Sequence, residues 1–209
     1  MNGIDGTGKS TQIKLLKKLL LNFGYLVEIY KEPTNETEAG KKIRASYTSN
    51  RPSLETELQW FIEDREWNIN TRVLPSLKAK KIVFLDRYYY STACYQGARK
   101  KGDWQSILEL NRSKFPEPDL TIIFDLKPKL ALNRIKRTRQ KSNTFEGLSY
   151  LRRVRKIFFK IYKSDKQGIY LLIDSRKTID QIFHILMIKI MTLIKEKEKK
   201  NALIKLKKK

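Results

Sequence analysis

The chain reads as an α/β domain, a mostly parallel sheet with helices on both faces, and three observations carry that reading. Short apolar runs recur at Ile82-Val83-Phe84-Leu85, Leu120-Thr121-Ile122-Ile123-Phe124 and Ile169-Tyr170-Leu171-Leu172-Ile173, each ending at an aspartate, Asp86, Asp125 or Asp174. Runs of this length suit strands buried on both faces. Segments with apolar residues at helical spacing alternate with them, as helical crossovers between parallel strands require. Third, Gly3-Ile4-Asp5-Gly6-Thr7-Gly8-Lys9-Ser10 matches GxxxxGK[ST], a phosphate-binding loop that joins a strand to a helix.

The loop opens at the third residue, and only Met1 and Asn2 precede it, so the apolar strand that should lead into it is truncated. Either the start lies upstream or the sheet lacks a strand. The second would leave neighbouring strands with unpaired backbone groups and uncovered apolar area, at a cost of several kcal/mol; a start codon assigned too late is the expectation. Beyond the loop, Ile13, Leu16, Leu19, Leu20 and Phe23 fall at helical spacing and define the first helix. A strand follows over Tyr25-Leu26-Val27-Glu28-Ile29-Tyr30 and ends at Lys31-Glu32-Pro33-Thr34, where proline stops it. A helical stretch is expected near Ala39 to Tyr47. A long helix runs from about Ser53, with Glu55 and Glu57 in an acid-rich first turn, to about Ala79, and Pro75 kinks or divides its end. Later helices are expected through Leu130 to Ile135, from about Phe145 to Tyr162, and from about Ile179 to Ile194. Phe145, Leu148, Leu151, Val154, Ile157, Phe158 and Ile161 form one apolar stripe. No internal repeat or Gly/Ser/Pro-rich linker divides the chain, so residues 1–194 read as one domain and 195–209 as a basic tail that frays.

A length of 209 residues suffices for a sizeable core. The single cysteine, Cys94, excludes an internal disulfide and any multi-cysteine metal site, and suits a reducing cytosol; its expected fate is burial. No segment has the uncharged apolar length of a membrane span, and no signal peptide opens the chain, so a soluble cytoplasmic protein is expected. The formal charge of +23 is concentrated: residues 127–166 hold 14 Lys/Arg against 2 acids, and residues 195–209 hold 8 Lys against 2 Glu. A basic surface attracts polyanions without specificity. The aromatic residues are not interleaved with the basic ones as a stacking platform requires, so the charge reads as a solvated face and nucleic acid is not the expected partner.

The loop fixes a nucleotide as ligand. Its glycines let backbone N–H groups turn inward around phosphate oxygens, Lys9 sets a positive charge against the outer phosphates, and the Ser10 hydroxyl is placed to ligate Mg²⁺. Gly3, Asp5, Gly6, Thr7, Gly8, Lys9, Ser10 and Thr11 are the expected ATP-binding set. Ligands of parallel sheets gather at the C-terminal strand ends, which brings the loop, Glu32-Pro33 and Asp86-Arg87 around one crevice. Asp86 offers a carboxylate to Mg²⁺ or its waters, and Arg87 a guanidinium able to hold a second phosphate bidentately. An ion pair that only seals the strand end is the alternative. A phosphate loop alone does not separate a motor, a switch, a transporter ATPase and a small-molecule kinase.

Six stretches, in order, bear on that choice: Gly3 to Thr11, Glu32-Pro33-Thr34, Lys42-Ile43-Arg44, Phe61-Ile62-Glu63-Asp64-Arg65, Asp86-Arg87-Tyr88-Tyr89-Tyr90-Ser91-Thr92-Ala93-Cys94-Tyr95-Gln96-Gly97 and Pro116-Glu117-Pro118-Asp119-Leu120. In combination they resemble the thymidylate kinase family of P-loop nucleoside monophosphate kinases, which move the γ-phosphoryl of ATP to dTMP, giving dTDP for dTTP synthesis. The resemblance runs from Gly3 to about Ile190, and the stretch from Asp86 to Gly97 is its most discriminating piece. It implies a three-layer P-loop kinase fold, a Mg²⁺-dependent in-line transfer with no covalent intermediate, and a homodimer.

By the same resemblance Phe61 stacks on the thymine ring, and Arg65, one helical turn later, hydrogen-bonds its edge; positions i and i+4 share a helix face. Arg44 and Arg87 hold the dTMP phosphate, Ser91 and Gln96 contact the base, and Asp5 sits near the sugar and the acceptor phosphate. Transfer needs positive charge over the moving phosphoryl, and this loop carries no Arg. The resemblance then implies a lid, around residues 134–146, that brings Arg134, Arg137 or Arg139; Arg134 is the expected catalytic one, beside Lys9 and Asp5. Lid closure also excludes water. The chain departs from the family's pattern at Asn143-Thr144-Phe145-Glu146, where the lid commonly ends in an Asp-Arg-Phe-Glu-like run, and at Asn2, where Glu is frequent. A kinase for another nucleoside monophosphate, and a degenerate nucleotide-binding protein kept for nucleic-acid contact, are the alternatives. His184, among Ile182, Phe183 and Ile185, is expected to be packed or exposed rather than catalytic.

Overall fold

The computed structural model describes residues 1–48, 51–100, 102–138 and 147–206. Its strands are β1 (Asn2–Gly3), β2 (Val27–Lys31), β3 (Ile82–Asp86), β4 (Thr121–Asp125) and β5 (Tyr170–Asp174). The helices are α1 (Lys9–Asn22), α2 (Glu38–Ala45), α3 (Leu54–Asn68), α4 (Leu74–Lys78), α5 (Tyr89–Gly97), α6 (Trp104–Arg112), α7 (Pro128–Thr138), α8 (Leu148–Ser164) and α9 (Ile179–Leu206). None of the described helices is long and apolar enough to cross a membrane.

All strand pairs are parallel: β2 with β3, β1 with β4, and β4 with β5. Two backbone bonds at Met1 join the two groups in the order β2-β3-β1-β4-β5. The Met1 amine donates to Leu85 O at 2.6 Å, and Arg87 N–H donates to Met1 O at 2.9 Å. The two-residue strand β1, with Met1, joins the two groups at the C-terminal end of the sheet. Below Met1, β3 and β4 face each other across a gap. Ile82 N–H bonds to Leu26 O, just before β2, and Thr121 N–H to Ile169 O, just before β5, so the alternation of a parallel ladder turns Val83 and Ile122 toward the gap, where no strand among the described residues pairs with their N–H groups. The gap is a cavity of about 240 Å³ lined by Val83, Leu120, Ile122, Ile190 and Ile194 among others.

Strand residues alternate between two cores, as burial on both faces demands. Ile122 and Phe124 join Ile13, Leu16 and Leu20 of α1 and Ile182, Leu186 and Ile190 of α9. Ile123 joins Tyr89, Tyr90 and Cys94 of α5, Ile107 and Leu108 of α6, and Leu151, Val154, Phe158 and Ile161 of α8. The stripe expected on α8 is thus buried from Leu151 to Ile161, while Phe145 lies outside the described residues. On α1 the stripe ends early. Phe23 is 61 % exposed, because the helix stops at Asn22 and the chain turns at Gly24 toward β2.

Other boundaries move for identifiable reasons. Ser53 caps α3 by accepting from Thr56 N–H at 3.1 Å, as its sequence position implies. The division expected at Pro75 falls earlier, in a π turn over Ile69–Val73; a wide turn ahead of a proline accommodates a ring that would collide with a regular one. Helices α5 and α6 had no expectation. The residues of α5 are mostly Tyr, Ser, Thr and Cys, weak helix formers buried nearly all round, so no amphipathic period marks them. The tail expected to fray from residue 195 is helical through Leu206 and docks on the sheet side of the molecule, with Tyr25 Oη donating to Glu198 at 3.3 Å and Lys197 pairing with Asp119. Cys94 is buried, and His184 is exposed with Nδ1 2.8 Å from Asp180 O.

Candidate active site

Gly8, at φ +90°, begins α1 with no side-chain cap, so the first-turn N–H groups stay open toward the loop, the arrangement that receives phosphate. A Cβ on Gly3 would lie 2.5 Å from Phe124 O, and one on Gly6 would lie 2.7 Å from Ala131 O. Only glycine lets the loop run this close to β4 and α7. Lys9 is buried and folds back over the loop, Nζ donating to Ile4 O at 2.8 Å and Gly3 O at 3.2 Å. Burial, with Arg87 acting the same way, pulls its pKa down to about 8 against the attraction of Asp5 and Asp86.

Ser10 Oγ donates to Asp86 Oδ2 at 2.8 Å. Burial raises the Asp86 carboxyl, but Lys9 and Arg87 outweigh it and hold the group below its usual value. A hydroxyl beside a carboxylate is a sparse donor set, which fits Mg²⁺ because that ion keeps several waters and takes other ligands from nucleotide phosphates. Among the described residues no group of three or more His, Cys, Asp or Glu forms an all-protein metal site.

Beside the loop lies a cavity of about 180 Å³, and its walls bring together Asp5, Arg44, Phe61, Arg65, Arg87, Ser91 and Gln96, all residues expected to hold the acceptor. Arg87 has φ +75°, strained for a residue with a side chain. Its Nη2 donates to Asp5 Oδ1 at 2.8 Å, its Nη1 to Gly3 O at 3.2 Å, and its guanidinium lies 5.1 Å from the centre of the Tyr95 ring. Arg44 is anchored to backbone carbonyls, Nε to Thr34 O at 3.2 Å and Nη2 to Pro33 O. Those carbonyls are set by Asp64 of α3, which accepts from Thr34 N–H at 2.8 Å, Thr34 Oγ1 at 2.6 Å and Thr37 Oγ1 at 2.5 Å.

Arg65 is more committed than a free binding fork. Only 1 % exposed, it meets Glu32 Oε2 through Nε at 2.9 Å and Nη2 at 2.7 Å, Thr92 Oγ1 through Nη2 at 2.8 Å, and Asn111 Oδ1 through Nη1 at 2.5 Å. Of the five N–H groups of a guanidinium, one on Nη1 is left for a ligand. Burial pushes the Glu32 carboxyl up, while Arg65 and Asn68 pull it back. Gln96 is also 1 % exposed, and its Oε1 has no hydrogen-bond partner. A buried acceptor left unpaired beside a cavity is destabilising until a ligand donor meets it. Ser91 Oγ donates to Asn2 Oδ1 at 2.8 Å, so it presents lone pairs rather than its proton.

The remaining expected residues stand apart. Arg134 Nη2 donates to Ser175 O at 3.0 Å, in the turn after β5, and Arg137 is exposed on α7; Arg139 and residues 139–146 of the expected lid lie outside the described residues. Sequence reasoning did not select Lys31, Tyr47, Thr92 or Tyr95, which also line the cavity. Tyr47 follows Arg44 by three residues, a spacing that puts it near the same surface; burial pushes its phenol up to about 12, so the hydroxyl keeps its proton. Glu32, which the sequence set at the strand end beside the crevice, shows its pairing with Arg65 only in the fold.

A family model described as thymidylate kinase matches residues 1–184. A probable thymidylate kinase of Archaeoglobus fulgidus is 40 % identical over 182 residues, 87 % of this chain and 88 % of that protein. A thymidylate kinase of Leptospira interrogans is 36 % identical over 197 residues, covering 93 % and 94 %, and one of Desulfotalea psychrophila is 42 % identical over 158 residues, covering 75 % and 77 %.

Proposed function

The chain belongs to the thymidylate kinase family, and on that premise we propose how its own residues carry the γ-phosphoryl of ATP to dTMP. One contact carries the reading. The 2.8 Å bond from Arg87 to Asp5 ties the acceptor cavity to the phosphate loop, so phosphates bound to each stand next to one another. Alignment of that kind accounts for much of phosphoryl-transfer catalysis.

ATP phosphates lie on the open N–H groups at the start of α1, with Lys9 against the outer ones. The thymine ring enters the cavity against Phe61. Gln96 Oε1 accepts the ring N–H, which relieves its unpaired burial, and the spare Nη1 hydrogen of Arg65 donates to a ring carbonyl. Arg44 and Arg87, each braced by backbone carbonyls, hold the acceptor phosphate, and Asp5 orients Arg87. Ser10 and Asp86 would hold Mg²⁺, which when bound neutralises β- and γ-phosphate oxygens. Arg134, which donates to Ser175 O, is the arginine that lid closure would bring to the moving phosphoryl. The family reading also implies a homodimer, testable by sedimentation, and the buried lone Cys94 accords with a cytoplasmic location.

The test is ADP release with ATP and Mg²⁺, offering dTMP, dUMP, CMP, AMP and GMP as acceptors. Selective turnover of dTMP is the expected result. Preference for another acceptor would move the reading to a different nucleoside monophosphate kinase.

A further inference from the structure

Helix α5 carries two walls of the acceptor cavity, Tyr95 and Gln96, at its C-terminal end, and that end is not closed by the helix itself. Arg99 N–H, the regular partner of Tyr95 O, bonds instead to Gln96 O at 3.1 Å. The Tyr95 carbonyl is thereby one of the terminal groups that a helix cannot satisfy. Tyr150, in the first turn of α8, donates its hydroxyl to that carbonyl. The same hydroxyl accepts from Arg51 Nη1 and Nη2, each at 3.3 Å.

Arg51 is itself fixed. Its Nε lies 3.1 Å from both carboxylate oxygens of Glu57, a side chain with no exposed surface, and Arg99 Nη1 closes on the same carboxylate at 2.6 Å. A buried carboxylate with two guanidiniums resists displacement, because removing either partner leaves charge uncompensated. A continuous line of contacts then runs from Glu57 through Arg51 and Tyr150 to Tyr95, whose ring packs on Arg87.

We propose that Tyr150 is a positioning residue for the acceptor site, its hydroxyl holding the last turn of α5 so that Tyr95 stays on Arg87 and Gln96 faces the cavity. The proposal rests on the reading of that cavity as the dTMP site. It concerns the hydroxyl alone, since the ring packs independently against Tyr95 at 6.3 Å and beneath Arg51 at 5.4 Å.

Tyr150→Phe removes the hydroxyl and keeps the ring. The KM for dTMP is expected to rise about three- to tenfold, the size of one lost hydrogen bond, with KM for ATP and saturated kcat within about twofold of the wild type. In the ligand-free chain, hydrogen–deuterium exchange over residues 95–100 is expected to quicken. An unchanged exchange rate would show that the hydroxyl does not hold the helix end, and would overturn the proposal. Faster exchange with no change in KM for dTMP, or equal rises for both substrates, would reduce Tyr150 to a structural contact and overturn it too. Wild-type enzyme assayed in parallel separates the two levels: if it turns over dTMP normally and the variant matches it, only this proposal fails, whereas silence of the wild type with dTMP removes both.

Discussion

Ser10 and Asp86, which are 76 positions apart in sequence, meet at 2.8 Å and join the start of α1 to the end of β3. The hydroxyl and carboxylate are held ready before any ligand arrives. Asp86→Asn keeps the hydrogen bond and removes the charge. The Mg²⁺ concentration for half-maximal activity is expected to rise about 10–100-fold, while nucleotide binding measured without metal stays within a few-fold. A magnesium titration of the variant checks this, and an unchanged midpoint would rule out Asp86 as a Mg²⁺ ligand.

Lys9 gives the pH dependence a definite sign. Its cation is the form that meets phosphate, and in the free enzyme it is lost as pH rises through about 8. kcat/KM for ATP, which reports the free enzyme, should fall about tenfold per pH unit above that point. Saturated kcat should hold to higher pH, because bound phosphates stabilise the cation. Folding responds in the opposite sense. The unfolded lysine titrates near 10.5, so the folded chain releases this proton first and the group adds stability as pH rises from about 8 to 10.5.

Arg65→Ala strands the buried Glu32 carboxylate, a change that typically costs about 3–5 kcal/mol and lowers the melting temperature of a chain this long by about 10 °C. Lost activity in that variant would therefore mix folding with recognition. The double change Arg65→Met with Glu32→Gln should regain most of the stability and none of the acceptor affinity. Thermal melts paired with dTMP titrations separate the two contributions.

Gln96→Met removes a buried oxygen that has no partner until ligand binds. The free chain is expected to gain about 1 kcal/mol, seen as a melting temperature higher by about 2–4 °C. KM for dTMP should rise at least about tenfold. A variant both less stable and unchanged in KM would place the Gln96 amide outside the acceptor site.

The phosphate loop and the three aspartate-ended strands were legible because their signals are local: glycines at fixed offsets and apolar runs of strand length. The residues expected to hold the acceptor were selected by their order along the chain, and the fold brings Asp5, Arg44, Phe61, Arg65, Arg87, Ser91 and Gln96 to one cavity. What stayed hidden depends on tertiary partners. Nothing in the sequence shows that Arg65 commits most of its donors to Glu32, Thr92 and Asn111, or that Tyr150 closes the end of α5. Helix α5 itself was missed because a helix buried nearly all round has no polar face to set its period. The extension of α9 past Ile194 reads as a lysine-rich tail until Asp119 and Tyr25 come within reach of it.

The two strand groups, β2-β3 and β1-β4-β5, meet through the backbone of Met1. The Val83 and Ile122 amides face the gap beneath Met1 with no described strand opposite them, so their protons should exchange without separation of the two strand groups. The Ile82 amide, bonded to Leu26 O, and the Thr121 amide, bonded to Ile169 O, should wait for a larger unfolding event. The phosphate loop springs from this seam, and Arg87 already crosses it to Gly3. A nucleotide seated on the loop, with an acceptor on Arg87, would therefore act as a clasp between the halves, and its binding energy would appear as slowed exchange in the middle of the sheet.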